Sequence, residues 1–272
     1  MAEFEAIELL QARIWGTAIG ITPGIFLFII AKEGGVVLLA FEDDKPVGFN
    51  YGIIGLTAEN QVKLASHQTG VLPGYQDRGL GFDLKLAQRE AALARNLNHI
   101  TWTFDPLQGR NARLNLRKLG AVCDSYIPDL YGDMPDALNK GLPSDRFNVD
   151  WWIASAHVAQ RLGERSVEPD LDPAAVKVLN KARRVKRGFA PPADAFDWPV
   201  GQCCLVEVPA DISGLKRQAP DIALAWRLHT RQIFHAVFSQ GYTAVDLLHR
   251  DGYSYYLLEK DWKTSSLEEK IR

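Results

Sequence analysis

The chain has no excess of charge of either sign: 31 Lys and Arg stand against 33 Asp and Glu, a formal net charge of -2 at pH 7, with a pI near 6.3. Such a balance supplies no global field for a polyanion or an anionic lipid surface, so neither nucleic acid nor membrane is an expected partner. Cysteine is scarce. Cys123 and the adjacent pair Cys203 and Cys204 give neither a metal-ligand spacing nor the dense framework of a secreted domain, so no metal is expected and a reducing cytoplasm is. The opening Met1-Ala2-Glu3-Phe4-Glu5 is acidic where a secretory signal carries a basic region, and no signal is expected. The apolar run over residues 18–30 is too short to cross a bilayer and is broken by Pro23-Gly24, which predicts a buried helix.

What is present is a globular composition. At 272 residues and 47% hydrophobic, the chain can bury one large core or two modest ones. Ile7, Leu10 and Ile14 lie at helical spacing, and Thr22-Pro23 supplies an N-cap followed by proline at the first helical position. Two helices therefore precede a hairpin over residues 36–41 and 47–56, turned by Asp43-Asp44-Lys45-Pro46. A strand over 61–72, a helix over 79–95, a strand over 100–104, a helix over 111–119 stopped by Gly120, and a strand over 121–127 follow. Residues 146–153 form a further strand carrying Trp151-Trp152.

Past Gly163 the composition changes. Pro169, Pro173, Pro191, Pro192 and Pro199 punctuate a polar stretch that includes a basic run over residues 181–187. Beyond it, strands over 203–208, 243–248 and 253–259 surround an amphipathic helix over 221–240, whose apolar face holds Ile222, Trp226, Ile233 and Val237. The expected division is an N-terminal domain over 1–160, a proline-rich linker with one helix over 161–200, and a small α+β unit over 201–272 that packs on the first or completes its sheet.

The stretch richest in chemical meaning is Gln76-Asp77-Arg78-Gly79-Leu80-Gly81, which follows the strand ending Val71-Leu72-Pro73 and opens a periodic helix. Backbone N–H groups freed at a helix start, approached closely because glycine lacks a side chain, suit a pyrophosphate. A dinucleotide site needs G-x-G-x-x-G within a parallel βαβ unit and an acidic residue at the next strand end. Neither condition is met here.

The run V-x-P-x-x-Q-x-x-G-x-G leading into a helix resembles the acyl-CoA site of the GNAT superfamily of N-acyltransferases, and the element order of roughly the first 153 residues is similar to that fold without its first strand. The resemblance implies an α/β (α+β) class with a mixed, splayed sheet flanked by helices, open between the strands ending near Leu72 and Phe104. It implies acetyl-CoA or another acyl-CoA such as succinyl-CoA as cosubstrate, held by Val71, Leu72, Pro73, Gln76, Asp77, Arg78, Gly79, Leu80 and Gly81. It also implies direct attack by an amine on the thioester, with a small-molecule amine as acceptor.

Transfer needs a free amine, and an alkylamine with a pKa near 10 must lose a proton first. Many members place a glutamate on the strand before the loop; this strand has none. Strand alternation puts His67 and Lys63 on the face of Val71, and His67 is the expected base, the other reading being a histidine satisfied at a sheet surface. The tyrosine that often protonates the leaving thiolate falls in register with Leu116. Tyr126 or Tyr131 stands in as the candidate acid, unless both are packing residues. For the substrate, Asp105 either binds an ammonium or caps the following turn, while Asn111, Arg227 and Arg231 are candidates for a carboxylate. The basic run reads as a solvated face or a contact for the CoA ribose phosphate. Without the acid and the glutamate, a catalytically silent CoA-binding module is the alternative function.

Overall fold

Ile7 and Leu10 recur at helical spacing on α1 (Ala2–Trp15) and are 1% exposed, so the helix is held by one apolar stripe, as its pattern requires. The computed structural model describes residues 1–15, 20–132, 141–163, 176–183, 185, 189–250 and 252–263. These form two compact units, Met1–Trp102 with Trp152–Ala154, and Thr103–Trp151 with Ser155–Arg272. The class is mixed α/β, with strands flanked by helices.

In the first unit, α1 and α2 (Gly24–Lys32) precede the hairpin β1 (Val36–Glu42) and β2 (Lys45–Leu56). Its turn places Asp43 and Asp44 at φ 46° and 62°, the mirror-image conformation that matches strand twist. β2 continues antiparallel to β3 (Val62–Val71), α3 (Leu80–Leu93) crosses over, and β4 (His99–Phe104) begins parallel to β3. Ile7, Leu10, Leu27, Phe49, Tyr51 and Leu72 make the core beneath α1 and α2. Gln11, fully buried, locks the two helices: its Nε2 donates to Thr22 O at 3.0 Å and its Oε1 accepts from Thr22 N at 2.8 Å.

The helix expected over 18–30 is found at Gly24–Lys32, and residues 16–19 lie outside the described part. It is also not a buried helix. Leu27 is enclosed, whereas Ile25, Phe26, Phe28 and Ile29 are 40–58% exposed. A nine-residue helix apolar all round has only one face to set against α1 and the strands.

The second unit is built on β5 (Val122–Ile127), which runs antiparallel to β6 (Arg146–Trp152) on one side and to β8 (Tyr242–Arg250) on the other. β9 (Tyr253–Lys260) follows β8, and β7 (Cys203–Pro209) pairs beyond it. Thus the strands beyond residue 200 share a sheet with β5 and β6. The helix expected over 221–240 is α7 (Pro220–Ser239), burying Trp226, Ile233, Phe234 and Val237. Phe234 joins an aromatic cluster, with ring centroids 4.7 Å from Phe147, 5.3 Å from Tyr256 and 5.8 Å from Tyr126.

Residues 111–119 are not one α-helix. A single α turn, α4 (Gly109–Ala112), passes into a π-helical stretch, Arg113–Lys118. The short helices α5 (Ala156–Gly163) and α6 (Ile212–Gln218) were not anticipated. Between them, the described part of the linker has no helix; Val178 bridges Leu205 on β7, and Asn180 clamps both backbone groups of Glu207 at 2.8 Å. Cys123 and Cys204 are free and fully enclosed, and desolvation pushes the Cys204 thiol up to about 12 and Cys123 well above its usual range.

Candidate functional site

The expected cofactor loop is one continuous feature of the first unit. β3 ends at Val71, whose carbonyl accepts from Gln76 Nε2 at 3.1 Å, so this side chain folds back over the strand end. A 3-10 turn, Pro73–Tyr75, then leads to Asp77 at φ 65° and Gly79 at φ 89°. Gly79 is the N-cap of α3 and brings no side-chain cap. The Phe82 and Asp83 amides both reach Gly79 O, at 2.8 and 3.1 Å. The first-turn amides of Leu80 and Gly81 face out of the helix end, with the positive pole of its dipole behind them.

A side-chain carbon added at Gly74 or Gly81 would meet nothing within 4 Å. The loop therefore has the open space, donors and sign of potential that a pyrophosphate requires. Arg78 adds an exposed cation at its rim, 3.5 Å from Glu42 and 5.1 Å over the Tyr75 ring.

β3 pairs with β4 at Leu64↔Ile100 and Ala65↔Thr101. From Ser66 to Val71 the strand runs on past that ladder, leaving an edge on which an extended ligand can pair with the backbone.

At the same point β3 carries a bulge. Tyr51 pairs with Gln68 and Gly52 with Ser66, so His67 is an extra residue without a partner on β2. This corrects the alternation argument. Val71 pairs with Gly48, whose added carbon would meet Leu80 and Leu84 of α3, so Val71 faces α3. His67 instead sets its ring against Tyr51, centroids 5.4 Å apart at 84°, on the α1 and α2 side. Tyr51 Oη lies 2.6 Å from Thr22 Oγ1. Partial withdrawal of the imidazole from water lowers its pKa below 6.5, a backbone hydrogen bond acting in the opposite sense. It is neutral at pH 7 and able to accept a proton.

Sequence reasoning passed over Lys85. Its ammonium is buried between α3 and the strands, 2.7 Å from Ser66 Oγ, 3.1 Å from Gln88 Oε1 and 3.9 Å from the Trp102 ring centroid. Burial lowers its pKa to about 7. Two further polar atoms in this layer, Asn50 Oδ1 and Gln88 Nε2, are buried without a hydrogen-bond partner.

The remaining expected residues belong to the second unit. Asp105 Oδ1 accepts from Leu107 N at 2.9 Å, capping the turn, and Oδ2 receives Arg227 Nη2 at 2.7 Å. Arg231 holds Asp145 through two nitrogens, and Tyr126 Oη donates to the same carboxylate at 2.6 Å. Desolvation, with Asp145 beside it, raises the Tyr126 hydroxyl well above the tyrosine range, which weakens it as a proton donor. Tyr131 is half exposed, 2.9 Å from Thr103 Oγ1. Asn111 is exposed on α4. Near it, Gly109, Arg110, Arg113, Ala210, Leu247, His249 and Ser254 line a shallow hollow of about 280 Å³. Of the basic run, Lys181, Ala182, Arg183 and Val185 are described, with Arg183 3.3 Å from Asp194; the rest lies outside the described residues.

No protein-family model matches the chain, and no curated protein sequence does. Solved structures do. The likeness is to acetyltransferases. The ribosomal-protein-S18-alanine N-acetyltransferase from Escherichia coli is 13% identical with a TM-score of 0.44, over 63% of this chain and 94% of that one. A GNAT-family acetyltransferase from Streptococcus pneumoniae is 21% identical with a TM-score of 0.43, over 54% and 92%. Arabidopsis thaliana Naa50, solved with a bisubstrate analogue, is 19% identical with a TM-score of 0.41, over 53% and 91%. Among the described residues no helix is long and apolar enough to cross a membrane, and no group of three or more His, Cys, Asp or Glu stands together as a metal site.

Proposed function

We propose that this chain is an acyl-CoA-dependent N-acyltransferase that moves an acetyl or succinyl group to the amine of a small molecule by direct attack. The observation that carries the reading is the uncapped start of α3 behind left-handed Gly79, directly after a strand that outruns its neighbour. Pyrophosphate would bind the amides of residues 79–81, and the pantetheine arm would pair along β3 from Val71 toward the bulge. There His67, neutral at pH 7, accepts the ammonium proton of the acceptor, and the free amine attacks the thioester carbon.

Isothermal titration with CoA, followed by CoA release from acetyl-CoA and succinyl-CoA across a panel of amines, tests the reading. Micromolar binding and amine-dependent release are expected; absence of binding overturns it. A second reading, a silent CoA-binding module, draws support from Leu116, which is fully buried where the resemblance expects a tyrosine. Binding without release across the panel would select it.

A further inference from the structure

A lysine needs a reason to be buried without a carboxylate. Lys85 is 4% exposed, and its neighbours are neutral: Ser66 from β3, Gln88 from α3 itself and Trp102 from β4. The titratable groups on the elements around it are Lys63 and His67 on β3, Lys45 and Tyr51 on β2, Glu42 on β1, His99 on β4, and Asp83, Arg89 and Glu90 on α3. None contributes to its shift, whose cause is desolvation. Methionine would fill the same space without a charge to desolvate.

The geometry is that of an ammonium rather than a free amine. Three N–H donors face three acceptors, the Ser66 hydroxyl, the Gln88 carbonyl and the Trp102 π face, so no lone pair is left free to attack an acyl carbon. What the group offers is a proton. Ser66 accepts it at 2.7 Å and has a hydroxyl hydrogen of its own to pass on. Ser66 is also where β3 leaves the β4 ladder and borders the His67 bulge. At about 3.3 Å per residue, it stands roughly 16 Å up the strand from Val71, a distance an extended pantetheine arm covers.

We propose that Lys85 is the proton store for the departing thiolate, acting through the Ser66 hydroxyl. The inference rests on the acyl-CoA reading of this site. As the acceptor nitrogen bonds to the acyl carbon, the carbon–sulfur bond breaks with its electron pair on sulfur. Ser66 Oγ–H gives its proton to the sulfur while Lys85 Nζ–H gives one to Oγ, leaving a neutral lysine. The proton shed by the acceptor passes to His67 or water, and solvent reprotonates Lys85 after the products leave. An ordinary lysine is a weaker acid than a thiol of pKa about 8.5, and donation from it would run uphill. With its pKa lowered to about 7, Lys85 donates downhill. Lys85 touches no substrate itself and is a positioning residue for Ser66.

The test uses the full chain, acetyl-CoA and the most active amine of the panel. Lys85→Met is expected to stay folded and bind CoA within about twofold of wild type. It should lose about a hundredfold in kcat at pH 7, and with it the fall in kcat above neutrality that marks loss of the acid. Ser66→Ala should lose the same alkaline limb, and it carries the test if Lys85→Met does not fold. Independently of turnover, the Lys85 Cε NMR resonance should titrate near pH 7 and shift its midpoint when CoA binds. Either variant keeping wild-type kcat and alkaline limb overturns the relay alone, as does an acetyl group found on Lys85 by mass spectrometry. Wild type that binds CoA but never releases it from acetyl-CoA overturns the transfer reading and the relay with it.

Discussion

Arg231 grips Asp145 through two parallel contacts, Nε to Oδ2 at 2.8 Å and Nη2 to Oδ1 at 2.7 Å, with the carboxylate fully enclosed. Tyr126 Oη and the Asp129 amide complete its shell at 2.6 and 3.0 Å. Burial pushes this carboxyl up, but Arg231, Tyr126 and the amide more than offset it and hold it below the ordinary value. A carboxyl depressed in the folded state stabilises above its unfolded pKa of about 4 and loses that contribution as pH falls through the folded value. Asp145→Asn is therefore expected to cost about 2–4 kcal/mol at pH 7, with the gap to wild type closing below pH 4. Urea denaturation at the two pH values measures it.

The same pairing bears on truncation. Asp105 and Asp145 find their arginines on α7, and β5 pairs with β8. Removing residues 163–272 takes away both cations and the strands beside β5, leaving buried carboxylates and an open edge. The truncated chain is expected to be insoluble or inactive. A soluble piece that still releases CoA would show the C-terminal strands to be accessory.

For the phosphate loop, the two glycines separate folding from binding. At Gly79, φ 89° strains any branched residue whatever the space around it, so Gly79→Val should lower both stability and CoA affinity. Gly81 has open space beside it. Gly81→Val should leave the melting temperature within a few degrees and weaken CoA binding at least tenfold by crowding the helix-end amides. Calorimetric affinity unchanged in both variants would remove the cofactor assignment.

His67→Ala is expected to lower kcat more than it raises KM for the amine, with the loss shrinking at high pH, where free amine is abundant. Because burial depresses its pKa, the acid limb of the wild-type profile should lie below 6.5. A variant that retains that limb returns the histidine to the packing around Tyr51.

Lys85 makes a separate claim on stability. Its pKa is lower folded than unfolded, so the unfolded chain binds more protons between about 7 and 10.5. The desolvation penalty is complete below pH 7 and is relieved as pH rises across that window. Lys85→Met should gain about 1–4 kcal/mol at pH 6 and less near pH 10, read from denaturant midpoints.

The local parts of this fold were legible in the sequence. Paired aspartates marked the hairpin, the loop before α3 announced itself by its glycines, and the apolar stripe of α7 gave that helix to within a residue. Two capped helices were missed although their caps are in plain view: Ser155 Oγ accepts from Val158 N and Asp211 Oδ1 from Gly214 N. What failed was what depends on distant pairing. The bulge at His67 exists only in the register of β3 against β2, so alternation along β3 alone assigned the wrong face. Lys85 lies between Leu84 and Leu86 in the sequence, where no apolar pattern marks a lysine as enclosed, since its pocket is made by Ser66 and Trp102 from other elements. Arg227 and Arg231 read as free cations because their carboxylates lie 122 and 86 residues away in sequence.

The sealed thiols of the second unit amount to a built-in clock. Cys123 on β5 and Cys204 on β7 sit on separate strands of one sheet, enclosed and held in the unreactive protonated form. A thiol reagent gains access to either only when that sheet opens, so the pace of labelling reads the frequency of opening, strand by strand. Comparing the two sites under native conditions distinguishes a β7 edge that frays alone from a sheet that parts as a whole.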